Sequence, residues 1–267
     1  MIFRVLFFIF VMIPFLIVII PTQFVITRLN LPGWHVIPRA FHRLACIFLG
    51  LRVRLIGTPN EGKATLVTSN HISWTDILAI GSVADLTFVA KSEVARWPFV
   101  GFMATLQKTI YADRSRRSDA GRTSREMGNR MAEGGVVLLF AEGQSDVGTH
   151  VLPFRSALVG AAQHAMIEAG AAEVAVQPLT IAYTHLQGLP VSRNERSLIA
   201  WIKSKSVWDN ILDILSGGVK DVTVAFGLPR TLSPGDDRKA ITKAAETDVR
   251  RMLVALNRGL PLPELAR

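Results

Sequence analysis

Residues Val5–Ile20 are sixteen consecutive apolar positions, Pro14 included. Water cannot solvate such a run on every side, so the fold must set it against lipid or bury it whole. Beyond Pro21-Thr22-Gln23 the apolar pattern resumes at Phe24-Val25-Ile26, and the stretch approaches the ~20 residues that cross a bilayer as a helix. Pro14 predicts a kink. A signal peptide is the competing reading. Only Arg4 charges the leading region, the run exceeds a usual signal core, and no small-x-small site follows Ile20. An uncleaved anchor fits better, either spanning the bilayer or dipping into one leaflet.

A turn-rich connector (27–38) carries Asn30, Pro32-Gly33 and Pro38. Arg39–Leu51 then reads as a second helix, with Arg39, His42 and Arg43 ahead of an apolar end. That pattern suits a helix at the lipid interface, or equally an amphipathic helix packed on a domain. The expected organisation is a membrane anchor over 1–50, of one or two helices, and a folded domain over 51–267. Almost all Lys and Arg follow Arg28, which predicts a body on the cytoplasmic face of the inner membrane.

The 30 Lys+Arg against 21 Asp+Glu give a formal charge of +9, which favours anionic partners. The cations are dispersed without aromatic interleaving, so nucleic acid is not among the expected partners. The single cysteine, Cys46, excludes an intrachain disulfide and a cysteine metal site. It sits in an apolar run and reads as a small buried or lipid-facing hydrophobe.

From residue 51 strand and helix patterns alternate. Leu51–Gly57 alternates strictly, as a half-exposed strand does. Ala64–Ser69, Leu86–Ala90, Thr109–Arg114, Val136–Phe140 and Asp221–Gly227 read as further strands, and Val136–Phe140 as fully buried. Val174–Tyr183 is another, in which Pro178 predicts a bulge or a sheet edge. Helical patterns fall at 77–80, 116–131, from Arg155 to about Ala169, and at 237–256. Ser197–Leu215 carries Trp201, Trp208 and an apolar stripe that either closes the core or lies on a membrane, Lys203 and Lys205 favouring the latter. The class is α/β: a mixed central sheet flanked by helices, preceded by the N-terminal helical segment.

Asn70-His71-Ile72-Ser73-Trp74-Thr75-Asp76 stands where a buried strand hands over to a helix. On a regular helix a five-residue offset separates side chains by about 140°. His71 and Asp76 can therefore meet only if His71 lies in the loop and Asp76 in the first helical turns. A carboxylate on one imidazole nitrogen fixes the tautomer and leaves the other as a base. Taken alone, the pair reads more simply as a histidine capping a helix. Ser73 lacks the Gly-x-Ser-x-Gly elbow of a serine hydrolase and reads as a helix cap.

Three strand ends line up with this junction: His71–Asp76, Asp113-Arg114 and Glu142-Gly143. Together the stretches resemble the glycerolipid acyltransferases, the lysophosphatidic acid acyltransferases of phospholipid synthesis. Asn70–Asp76 is similar to that family's Asn-His-x-Ser-x-x-Asp block, and Lys91-Ser92-Glu93 with Pro98–Gly101 to the stretch that follows. Ile110–Arg114 resembles the second block, Phe140-Ala141-Glu142-Gly143 the third, and Val176-Gln177-Pro178-Leu179 the fourth. The third block departs: Ala141, Gln144 and Ser145 stand where the family usually has Pro, Thr and Arg. Loss of that Arg removes a bidentate phosphate contact that Ser cannot supply.

The resemblance implies an O-acyltransferase moving a fatty acyl group from an acyl thioester, on acyl-carrier protein or CoA, to a lysophospholipid hydroxyl. No cofactor and no metal are expected. The implied acceptor is 1-acyl-sn-glycerol-3-phosphate. The altered third block, with 148–158 and 183–190, resembles instead the branch that acylates lyso-ornithine lipid. His71 and Asp76 are the implied catalytic pair. Arg114 would hold the head group, helped by Lys91 or Arg155. Glu142 would bond acceptor hydroxyls or order its loop, Gly143 would admit a close approach, and Asn70 and Ser73 complete the expected substrate-binding set. Backbone amides at the helix start are expected to hold the oxyanion. Two rivals remain at this stage: a membrane-anchored thioesterase acting with water, and a non-enzymatic lipid-binding adaptor.

Overall fold

The computed structural model describes residues 2–113, 117–157, 159–160, 173–202, 204–233 and 235–264. The N-terminal run is one helix, α1 (Ile2–Arg28), with a π-helical turn at Phe8–Met12 just ahead of Pro14. That turn absorbs the backbone bond the proline cannot make. α1 lies along the body and is held at both ends. The Arg4 guanidinium donates to the carbonyls of Leu215 and Gly218. Near the other end Gln23 Nε2 and Thr27 Oγ1 donate to the Leu106 carbonyl, at 3.0 and 3.3 Å.

The second helix, α2 (Val36–Leu49), packs on α3 (Thr75–Val83), and its Cys46 and Leu49 enter the main core. Arg39 and Arg43 donate to the carbonyls of Val83 and Ser82. Its arginines thus cap a neighbouring helix, as those of an amphipathic helix packed on a domain can. His42 is buried against Gly81, where any larger residue would collide with the ring.

The sheet runs β1-β8-β6-β2-β5-β3-β4. Its strands are β1 (Leu51–Ile56), β2 (Thr65–Ser69), β3 (Thr87–Lys91), β4 (Ile110–Ala112), β5 (Val136–Phe140), β6 (Val174–Leu186) and β8 (Lys220–Phe226). The short β7 (Leu189–Pro190) and β9 (Arg230–Leu232) pair with β6. β6, β2, β5, β3 and β4 are mutually parallel, whereas β8 runs antiparallel to β6. β2 and β5 are buried along their whole length, as apolar runs with helices on both faces must be. One face places Val67, Leu138 and Val224 against α2, α3 and α7 (Val207–Ser216). The other places Leu66, Val137 and Leu139 against α5 (Arg117–Ala132) and α8 (Arg238–Asn257).

Two expectations need correction. β6 is interior, not an edge, and its irregularity falls between Tyr183 and His185. Pro178 sits where β9 ends and β8 begins along that flank, and its carbonyl accepts from Gly227 N–H. Its missing N–H therefore faces a gap between partners and breaks no ladder. Ser197–Leu215 is not one helix but α6 (Arg196–Ile199), a connector, and α7. Most of the helix expected to run to Ala169, and Lys203, lie outside the described residues.

Candidate active site

The β2–α3 junction is fixed from several directions. Asn70 spends its amide on the backbone of Ile181, donating to the carbonyl and accepting the N–H at 3.0 Å each way, and so pins the loop to β6. His71 N–H donates to Glu142 Oε2 at 2.7 Å, and the His71 carbonyl accepts from Asp146 N–H. The Ile72 carbonyl accepts from Trp201 N–H. Ile72 and Ser73 N–H both donate to Asp76 Oδ2, at 2.6 and 3.0 Å.

His71 and Asp76 meet as their offset requires: His71 Nδ1 lies 2.8 Å from Asp76 Oδ2. Asp76 is fully buried, and its other oxygen accepts from Tyr183 Oη at 2.8 Å; Tyr183 in turn lies 2.6 Å from Thr75 Oγ1. A buried carboxylate with four donors is satisfied as an anion. Burial and Asp76 push the Tyr183 hydroxyl well above its ordinary range, so it stays a donor. The His71 ring stacks on Phe140 at 4.0 Å between centroids. Acceptance by Asp76 assigns the ring proton to Nδ1 and leaves the Nε2 lone pair as the basic site. Only the end of β6 supplies Tyr183, and no spacing rule links it to Asp76. The one signal in the sequence is its phase with Leu179 and Ile181, which buries a hydroxyl that needs a partner.

His71 lines a cavity of about 730 Å³. Its wall is apolar, and the N-terminal helices supply part of it: Met12, Leu16 and Ile19 of α1, and Phe41, Ala45 and Phe48 of α2. Such a volume suits a long aliphatic chain. Polar groups gather at the His71 end, where Lys91, Glu93, Gln144 and Ser145 also line it.

The remaining expected site residues divide. Lys91 is exposed at the end of β3 on the cavity wall, and Gly143 joins it with φ 75°, a left-handed conformation natural to glycine. Glu142 is turned inward. Its carboxylate accepts the N–H of His71 and, at 2.8 Å, that of Leu152, so it ties two loops together. Burial pushes it up to about 8, against the pull of those two N–H donors. Arg155 is exposed and off the cavity wall, its N–H held by the Ala141 carbonyl. Arg114 lies outside the described residues. Ser73 Oγ is buried with no hydrogen-bond partner among the described residues, so it does not cap α3; Asp76 fills that role in reverse. The Ile72 and Ser73 amides are thereby spent and do not serve the oxyanion.

Ser145, in place of the usual Arg, donates its hydroxyl to the Trp201 carbonyl. Trp201 packs edge-on against Trp97, centroids 5.7 Å apart, and both rings line the cavity. The segment after α6 is thus stitched over the His71 loop, which no local pattern announced.

Residues 51–182 match the family model described as Acyltransferase. The chain is 40% identical over 247 residues to the lyso-ornithine lipid O-acyltransferase of Brucella abortus, covering 92% of each. It is 36% identical over 242 residues to that of Rhizobium meliloti, covering 91% of this chain and 83% of the other. Similarity to the 1-acyl-sn-glycerol-3-phosphate acyltransferase of Neisseria gonorrhoeae is 35% over 133 residues, half of each chain. Among solved structures, the 1-acyl-sn-glycerophosphate (LPA) acyltransferase of Thermotoga maritima shares the fold with TM-score 0.62 at 22% identity, over 96% of this chain and 95% of the other. With a histidine–aspartate pair beside an apolar cavity and relatives matched along nearly its whole length, the chain belongs to the Acyltransferase family.

Proposed function

We propose that this acyltransferase esterifies the free hydroxyl of lyso-ornithine lipid, using an acyl thioester of carrier protein or CoA. His71 Nε2 takes the proton from the acceptor hydroxyl, and the oxygen attacks the thioester carbonyl. The tetrahedral intermediate collapses with loss of thiolate, which recovers the proton from the imidazolium. Ester and thiol leave, and no acyl-enzyme or cofactor is required. Base action of this kind contributes ~10² to 10⁴ in rate. The donor's acyl chain occupies the apolar cavity, and α1 keeps the enzyme at the cytoplasmic face of the membrane.

One observation carries the choice of acceptor. Ser145 replaces the expected guanidinium and is committed to Trp201, so this loop offers no phosphate clamp. Lyso-ornithine lipid bears a carboxylate and an ammonium in place of a phosphate. Lys91 and Glu93, both on the cavity wall, supply the complementary charges. The half-length likeness to glycerol-phosphate acyltransferases favours lysophosphatidate as a second reading.

The deciding experiment offers each lyso-lipid separately to the purified protein with one acyl thioester, His71→Ala serving as blank. Acylation of lyso-ornithine lipid alone is expected. Transfer only to lysophosphatidate would overturn the choice. Thioester loss with neither lipid acylated would overturn both.

A further inference from the structure

α1 turns a stripe outward at intervals of seven: Phe3, Phe10, Ile17 and Phe24 are 73, 71, 68 and 52% exposed. The opposite side carries Met12 and Ile19, both buried. Because the helix is tied down at each end, the stripe runs parallel to the body's surface. Two other elements expose apolar side chains beside those ties. α7 meets the Arg4 end, with its Ile211 and Leu215 on the cavity wall. One helical turn apart on the adjoining strip, Trp208 and Leu212 are 75 and 63% exposed. α4 (Val100–Leu106) meets the other end through the Leu106 carbonyl. There Phe99, Val100 and Phe102 are 54, 48 and 45% exposed. Phe99 takes φ 61° and ψ −53°, a strained conformation for a bulky residue, and lines the cavity.

We infer that α7 and α4 are membrane-contacting elements in their own right, and that with α1 they form one lipid-facing surface around the cavity mouth. Scattered exposed hydrophobes need no explanation, but apolar stripes on three elements that touch one another do. The occupant is a bilayer because both elements adjoin the ends of a helix of mean hydropathy 2.9, apolar enough for lipid. Anionic lipid is the matching composition for a chain of formal charge +9. Tryptophan is also the residue that settles at the head-group boundary. This surface rests on the reading of α1 as a membrane helix, not on the identity of the acceptor.

The chain's sole cysteine makes the test direct. Cys46 is buried and its thiol is pushed up to about 12, so an introduced cysteine is the one that labels. An environment-sensitive fluorophore is placed on the full-length protein at Trp208→Cys, Leu212→Cys and Phe102→Cys. Phe24→Cys on the α1 stripe is the positive control, and the exposed Lys239→Cys on α8 the aqueous control. Each is read with anionic vesicles carrying nitroxide lipid. Quenching at 208, 212 and 102, at least several-fold above that at 239, is expected. Quenching at 24 alone would overturn the inference while leaving α1 in the membrane. Quenching nowhere would overturn it together with the membrane reading, and acyl transfer would still report separately on the proposed reaction. Shielding of 208 without vesicles, rising with protein concentration, would mean that a second copy covers the face, and would overturn it too. As a second readout, Trp208→Glu with Leu212→Glu should lower the rate on vesicle-borne acceptor by about tenfold or more, since each such side chain contributes roughly tenfold to partitioning. The rate on detergent-solubilised acceptor should be unchanged. An equal loss in both would assign these residues to the fold.

Discussion

Asp76→Asn isolates the charge of the proposed catalytic pair from its geometry. The asparagine oxygen can still accept from Ile72 N–H, Ser73 N–H and His71 Nδ1, as Asp76 Oδ2 does. Its amide nitrogen then faces Tyr183 Oη, which accepts instead and turns its proton to Thr75 Oγ1, 2.6 Å away. The second amide N–H gains no acceptor in this buried site, a cost of about 1–3 kcal/mol that the fold should survive. What is lost is the anion beside a developing imidazolium. With the charges ~4 Å apart and an effective dielectric of ~20, that attraction is about 4 kcal/mol. The expected loss is therefore about 10³ in kcat, with KM within a few-fold. Steady-state acyl transfer gives both constants, and a melt alongside should move by only a few degrees. The double variant with His71→Ala should be little slower than the worse single one, because the pair acts as a unit. A variant with unchanged melting and kcat within tenfold of the parent would refute the reasoning and reduce the pair to a structural contact.

Tyr183→Phe leaves one Asp76 oxygen without its donor and should cost about 1.5–3 kcal/mol of stability, with a smaller kcat loss than Asp76→Asn; denaturant titration and turnover check both. Burial lowers His42 from 6.5 to about 4. The unfolded chain therefore binds a proton that the folded one refuses, and stability falls as pH drops through that window, by about 3 kcal/mol in full. His42→Gln should flatten this acid slope in melts between pH 7 and 4.5, and a slope left unchanged would contradict the assignment. Glu142 has the opposite sign: raised to about 8, it keeps its proton when folded, and its contribution is lost as pH rises from about 4.5 to 8. Glu142→Gln should remove that alkaline loss while loosening the loop at Leu152, read as faster amide exchange there.

The sequence made some of this plain because the physics was local. Val136–Phe140 has no polar residue to turn toward water, so it could only be an interior strand. The five-residue offset between His71 and Asp76 allowed one arrangement, a loop feeding a helix. What stayed hidden depended on partners far along the chain. Pro178 carries an edge signal, and only the abutting ends of β8 and β9 reveal why an interior strand tolerates it. The arginines of α2 look like interfacial residues until Ser82 and Val83 are seen to offer them the end of α3. Glu142 reads as a ligand group because strand ends so often are. Its inward turn depends on the amides of His71 and Leu152, 71 and 10 residues away. Tyr183 and Trp201 reach the site only through tertiary packing.

The cavity wall from α1 and α2 has a further consequence. The His71–Asp76 pair lies within 51–182, the stretch that matches the family model, whereas part of the cavity wall proposed to hold the acyl chain comes from residues before 50. The ruler and the blade are written in separate parts of the gene. On the proposed seating of the acyl chain, substitutions at Met12, Leu16 or Phe48 are expected to shift the preferred chain length while the chemistry is left alone. Chain-length preference would then be set by a helix that takes no part in bond making.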